Sequence, residues 1–379
     1  MGLLKRLNQF DFQRNEIAMA LNLNRRRMLQ ALAASTAGGF VLNPTQRADA
    51  ASNMDPKWSA AIEKGLDWVA RTQSRRGSWT AGGYPTAMTA LAGAALTMSG
   101  STTTQGPYRD AIGKAVSFLI DQAARRTKDS DKLIPRNNGL IGDPLNDNRY
   151  TYGHGFSMLF LSQVLGEEEY EDRREELIQV LENAVQFSGR AQTKSGGWGY
   201  VSAEAGNNFD EGSTTITQVQ GLRGCRNAGI VVPKEVIDNA IEYIYKCKNA
   251  DGGISYSSRN RGTSRPAITA AALAGLYNAG DYTSEEAKAM LAYCKKNLFD
   301  LGGGNSFGHW HYTYLYYAQV VYREGGTDWE KFRTKLYNKI VNEQDSDGKW
   351  TGNIGPIYVT ACNLIMLQLE NAYLPIYQR

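Results

Sequence analysis

The sequence is poor in the residues that most often carry chemistry, with 3 histidines and 4 cysteines among 379 residues, and only 10 prolines. Four cysteines in a chain of this length do not make a disulfide framework. Cys247 and Cys294 end two similar segments, Tyr-Lys-Cys-Lys-Asn and Tyr-Cys-Lys-Lys-Asn. Their equivalent phase points both the same way, so Cys225, Cys247, Cys294 and Cys362 are all expected as packed thiols. No apolar run approaches the ~20 residues that span a bilayer. No transmembrane helix is therefore expected, and only peripheral membrane contact stays open. Excess positive charge is also missing beyond residue 50. Lys5, Arg6, Arg14, Arg25, Arg26, Arg27 and Arg47 against Asp11, Glu16 and Asp49 account for the whole net charge of +4. A neutral remainder without a basic block excludes a nucleic-acid partner, because phosphate binding needs clustered Lys and Arg. At 42% hydrophobic and 21% charged residues, the chain has the composition of a folded globular protein.

The basic N-terminus reads as an address. Asn24-Arg25-Arg26-Arg27 is followed by a mildly apolar run from Ala31 to Leu42 and then by Ala48-Asp49-Ala50. A twin arginine, a short apolar stretch and an Ala-x-Ala site form a Tat-type bacterial export signal. Residues 1–50 are therefore expected to be cleaved. Residues 51–379 form one mature domain in the periplasm or outside the cell.

That domain is built from repeats. Six glycine-bearing loops, Gly77-Ser78-Trp79, Gly139 to Gly142, Gly196 to Tyr200, Gly252-Gly253-Ile254, Gly302 to Gly304 and Gly348-Lys349-Trp350, each precede an apolar helix rich in small residues. Those helices are expected near 85–99, 151–165, 214–228, 266–279, 310–323 and 356–370. Gly100, Gly166, Gly229 and Gly280 close four of them as left-handed caps. Six ordinary amphipathic helices alternate with them, near 57–72, 108–125, 170–190, 233–248, 283–297 and 328–343. Ala267 to Ala274 has no charged face and must be enclosed, whereas the charged helices must face water. Six enclosed and six outward helices in alternation predict an all-α (α/α)6 toroid.

The loop Gly196-Gly197-Trp198-Gly199-Tyr200 and the helix after it resemble the repeat shared by squalene and oxidosqualene cyclases and the β-subunits of protein prenyltransferases. The resemblance spans the mature chain from about Trp58 and implies a toroid around a cavity for an isoprenoid. Such cyclases open an inner helix with Asp-x-Asp-Asp, and the nearest match, Glu211-Gly212-Ser213-Thr214, keeps one carboxylate. Such prenyltransferases hold zinc through Asp-x-Cys and a later His. Here His309-Trp310-His311 and Val359 stand at those places, and valine ligates nothing. No metal is assigned, and the cofactor is unknown.

All three histidines open inner helices, whose N-termini converge on one end of a closed ring. The candidate acid/base residues are accordingly His154, Asp210, Glu211, His309 and His311. The candidate ligand-binding residues are Tyr152, Phe156, Arg265, Trp310, Tyr312, Tyr314 and Tyr358. Aromatic faces stabilise cations and also stack on sugars. An apolar isoprenoid-like ligand is the first reading, a polysaccharide processed by carboxylate pairs the second. A ring that carries no chemistry and serves as an interaction module is the third.

Overall fold

The computed structural model describes residues 54–126, 133–206, 208–302 and 309–371. The expected export signal, and Gly303 and Gly304 of the fifth loop, lie outside these residues. Twelve α-helices make up the described chain: α1 Pro56–Arg71, α2 Pro85–Thr97, α3 Arg109–Ala123, α4 Tyr150–Leu165, α5 Glu171–Ala191, α6 Gly212–Asn227, α7 Lys234–Lys246, α8 Pro266–Ala279, α9 Glu285–Leu298, α10 Trp310–Glu324, α11 Gly326–Asn342 and α12 Pro356–Leu367.

Composition sorts them into two layers. The even-numbered helices are buried on nearly every face, as in α8, where Pro266 to Asn278 are all buried. The odd-numbered helices bury one stripe, such as Val236, Ala240, Tyr243 and Ile244 on α7, and expose the rest. Each even helix packs against the next, and α12 packs against α2. The inner layer is therefore a closed ring, and the fold is an α/α toroid. Small residues set the helix spacing. A Cβ at Gly155 on α4 would stand 2.7 Å from the backbone of Thr217, and one at Gly221 on α6 would stand 2.6 Å from the Gly155 carbonyl.

The loops that link the layers repeat one set of bonds. Trp79, Trp198 and Trp350 donate their indole N–H to the carbonyls of Val69, Ser188 and Ile340. Their backbone N–H groups go to the hydroxyls of Thr89, Thr215 and Thr360 in the following inner helix. Gln73, Gln192 and Gln344 each bridge two carbonyls, one in their own loop and one in the next outer helix. For Gln344 that second carbonyl belongs to Ala61 on α1, so the last loop is tied to the first helix. Glycine is required where this loop turns. Gly196 has φ +99°, and a Cβ there would lie 2.2 Å from the Asn239 carbonyl oxygen.

Three expectations need correction. The helix near 108–125 stops at Ala123, because Ala124–Arg126 (β1) pairs antiparallel with Leu133–Pro135 (β2). Gly166 is right-handed at φ −66° rather than a left-handed cap, whereas Gly100, Gly229 and Gly280 have positive φ as expected. The helix expected near 233–248 spans Lys234–Lys246, with Pro233 as the cap before it. All four cysteines are buried and free.

Candidate functional site

Helical phase decides which residues at the inner N-termini reach the ring's interior. At about 100° per residue, positions i, i+3, i+4 and i+7 share a face and i+2 lies opposite. Arg149, Tyr152 and Phe156 of the α4 segment share one face, as do Tyr84, Met88 and Leu91 of α2, and His309 and Tyr312 of α10. These residues line a cavity of about 500 Å³ at the N-terminal end of the inner helices. Arg265, Ile268, Ile354 and Tyr358 complete most of its wall.

The deeper wall is apolar and the mouth is aromatic and cationic. Arg149 lies over the Tyr200 ring and Arg265 over the Tyr256 ring, each 4.6 Å from the centroid. The hydroxyls of Tyr200 and Tyr256 are hydrogen-bonded to each other, and Tyr152 stacks on Tyr200 at 5.9 Å. Burial, then the bond to Tyr200, pushes the Tyr256 hydroxyl well above the ordinary range. Burial and the nearby Glu211 carboxylate do the same for Tyr152. The Tyr152 and Tyr256 phenols are thus neutral, and Arg149 and Arg265 bring two guanidinium groups to the lining.

Glu211 sits just behind this wall as the cap of α6. One carboxylate oxygen accepts from the Thr214 N–H at 2.6 Å and from the Tyr152 hydroxyl at 3.3 Å. The other accepts from the Ser213 N–H at 2.9 Å and its hydroxyl at 2.6 Å. Every one of these contacts uses the carboxylate as an acceptor at a helix N-terminus, the arrangement of a capping anion. A carboxylic acid poised to protonate an alkene would need an oxygen directed into the cavity as a donor.

Three of the other residues proposed for acid/base work lie elsewhere. His154 is fully buried on the opposite face of α4 from Tyr152. Its Nδ1 accepts from the Ile141 N–H at 3.0 Å and its Nε2 donates to the Ala184 carbonyl at 3.1 Å. Burial lowers its pKa to about 4, so it is a neutral structural group. Asp210 is buried between loops and accepts from Thr193, Ser257 and Ser258 at 3.3–3.4 Å. His311 turns toward Gly352 and packs edge-on against Trp310, and burial lowers its pKa to about 4. Among the candidate acids and bases, only His309 lines the cavity.

The ligand-binding set divides by the same rule of phase. Tyr152, Phe156, Arg265, Tyr312 and Tyr358 line the cavity. Trp310 and Tyr314, a turn apart, instead pack on each other with tilted rings 4.7 Å apart, and Tyr314 donates to the Leu298 carbonyl of α9. The sequence reading missed Arg149, Tyr200, Tyr256 and Ser213. A signal for three of them was present in the repeats. Tyr200 and Tyr256 hold the same place in Gly-Gly-Trp-Gly-Tyr and Gly-Gly-Ile-Ser-Tyr, and Arg149, like Arg265, immediately precedes an inner helix. Among the described residues no group of three or more His, Cys, Asp or Glu is placed to hold a metal ion. No helix among them is long and apolar enough to cross a membrane.

A closed double ring of helices around an aromatic-walled cavity defines an α/α toroid, a fold shared with a terpene cyclase and with a mannanase. The apo type II terpene cyclase MstE from Scytonema matches over 84% of this chain and 99% of its own, with a TM-score of 0.55 and 13% identity. A single-site variant of that cyclase in complex with the substrate geranylgeranyl dihydroxybenzoate matches over 84% and 98%, with a TM-score of 0.51 and 14% identity. An inactive variant of an α-1,6-mannanase from Salegentibacter, in complex with α-1,6-mannotetrose, matches over 84% and 100%, with a TM-score of 0.58 and 7% identity. No family model and no curated protein matches the sequence. At these identities the likeness is one of fold.

Proposed function

We propose that this chain is an exported protein that binds an isoprenoid-like molecule with an anionic head, the chain in the cavity and the head at Arg149 and Arg265. One observation carries the reading: the cavity wall is apolar and aromatic, two arginines stand at its mouth, and no carboxylate lines it among the described residues. Glycoside hydrolysis needs two carboxyl groups flanking the scissile bond, about 5–10 Å apart. Asp210 and Glu211 are both engaged outside the lining. Fold similarity does not choose between a cyclase-like and a mannanase-like ligand, but this lining favours the former. With Glu211 held as a cap, alkene protonation by that residue is not part of the reading. Export rests on the twin arginine and the Ala-x-Ala site of residues 1–50.

The test is native mass spectrometry of the protein recovered from the exported fraction, incubated with geranylgeranoic acid or with mannotetraose. The expected protein begins after Ala50 and forms a one-to-one adduct with the prenyl acid. Arg149→Ala/Arg265→Ala weakens that adduct by about tenfold or more, the scale of a lost hydrogen bond to a charged group. An adduct with the sugar alone would overturn the isoprenoid reading, and recovery of an uncleaved chain from the cytoplasm would overturn export.

A further inference from the structure

Tyr312 belongs to α10 but hydrogen-bonds to α6. Its hydroxyl donates to the Ser213 carbonyl at 3.2 Å. In the ring α8 stands between these two helices, so the side chain reaches past a neighbour to a helix two places away. Ala267, which lines the cavity, and Ala271 one turn on are the small residues that α8 places on this side. Two turns further along the same faces, Gln220 of α6 donates to Gln319 of α10 at 2.8 Å. Between these two ties lies Tyr316, fully buried, with its ring 4.8 Å from that of Tyr312. The interior is therefore filled behind Tyr312 and open in front of it, where Tyr312 lines the cavity.

We infer that Tyr312 is the residue that sets the greatest chain length the cavity accepts. This rests on the isoprenoid reading above and adds a size class to it. A cavity of about 500 Å³ holds on the order of fifteen to twenty methylene-sized groups, at ~30 Å³ per water-sized group. A fifteen- to twenty-carbon chain matches that space. Replacing Tyr312 by alanine removes a phenol ring, roughly the bulk of one five-carbon isoprene unit.

The experiment is calorimetric titration of the full chain with all-trans prenyl carboxylic acids of increasing length, from ten to thirty carbons. For the wild type, affinity rises to a maximum at fifteen or twenty carbons and drops by about tenfold or more one unit beyond it. Tyr312→Ala moves that ceiling up by one isoprene unit. Tyr312→Phe, which keeps the ring and loses only the bond to Ser213, leaves the ceiling where it was. Should Tyr312→Ala fail to fold, Tyr312→Leu keeps an apolar side chain in place and reads the same upward shift. An unchanged ceiling in the folded Ala or Leu variant, with binding otherwise intact, overturns this inference alone. Absence of binding to the wild type at every length overturns the isoprenoid reading and this inference with it.

Discussion

His154 shows how a titratable side chain at the right height of a helix can still be removed from the chemistry. Both ring nitrogens are bonded to the backbone, and the imidazole is buried against Phe187 at 4.9 Å. Its pKa in the fold is about 4, lowered by burial from 6.5. Between those values the unfolded chain binds a proton that the folded chain excludes. Stability is therefore complete above about pH 6.5 and falls as the pH drops toward 4, by about 3 kcal/mol for this group. His311 is shifted in the same direction. The variant His154→Gln retains a donor and an acceptor but cannot titrate. Its melting temperature should fall less steeply than the wild type's between pH 6.5 and 4, by the equivalent of one bound proton. Parallel curves would mean that the imidazole is charged within the fold. At this scale the sequence told which residues open the inner helices but not where they point. His154 is two residues from Tyr152 and two from Phe156, and Trp310 is two from Tyr312. An offset of two reverses the face of a helix, so applying the phase to the repeat would have separated cavity residues from packing residues. No phase rule reveals Tyr200 and Tyr256, which reach the cavity from loops.

The loop between layers is the element that makes the repeat. The sequence reading found its glycine and tryptophan because both are conspicuous, and it missed the glutamine four residues before the glycine. Gln73, Gln192 and Gln344 look like ordinary polar residues at the end of an outer helix. Only the fold shows that each fastens one repeat to the next. The fourth repeat departs from this pattern: Lys248 stands where the glutamine would be, and its ammonium donates to the Glu286 carboxylate of α9, the next outer helix, at 3.0 Å. Ile254 replaces the tryptophan there, with its backbone N–H still bonded to the Thr269 hydroxyl. Gln192→Ala leaves the carbonyls of Gly196 and Val236 without donors that now stand at 2.8 and 2.9 Å. At about 1 kcal/mol per bond, and more where a carbonyl is left dry, the loss is about 2–3 kcal/mol. For a domain of this size a melting temperature lower by roughly 3–5 °C follows. A fall of under a degree in scanning calorimetry would show that the bridge is incidental.

Ring closure distinguishes this molecule from an open helical solenoid, although both could be written with the same repeat. In an open array each unit contacts only its neighbours, and stability is close to a sum over units. An end unit can then be removed with the rest left standing. Here the two ends of the repeat array are bonded to each other. Trp58 of α1 donates to Asn338 of α11 at 3.0 Å, Gln344 bridges to Ala61, and Gln368 donates to the Ala95 carbonyl of α2 at 3.1 Å. The face of α2 toward α12 has no charged residue, and Gly65 of α1 packs on Trp350 and Leu364 so closely that a Cβ would clash at 2.8 Å. The sequence predicted closure from the alternation of enclosed and outward helices, and the packing of α12 on α2 is the contact that closes the ring. Ending the chain at residue 343 removes α12 and exposes apolar surface on both α2 and α10. It also takes away Ile354 and Tyr358, two parts of the cavity wall. The truncated chain should therefore have no cooperative thermal transition, where the intact protein has one. A five-repeat remnant that still melted cooperatively would place the molecule with the open arrays, its closure a contact between already stable ends.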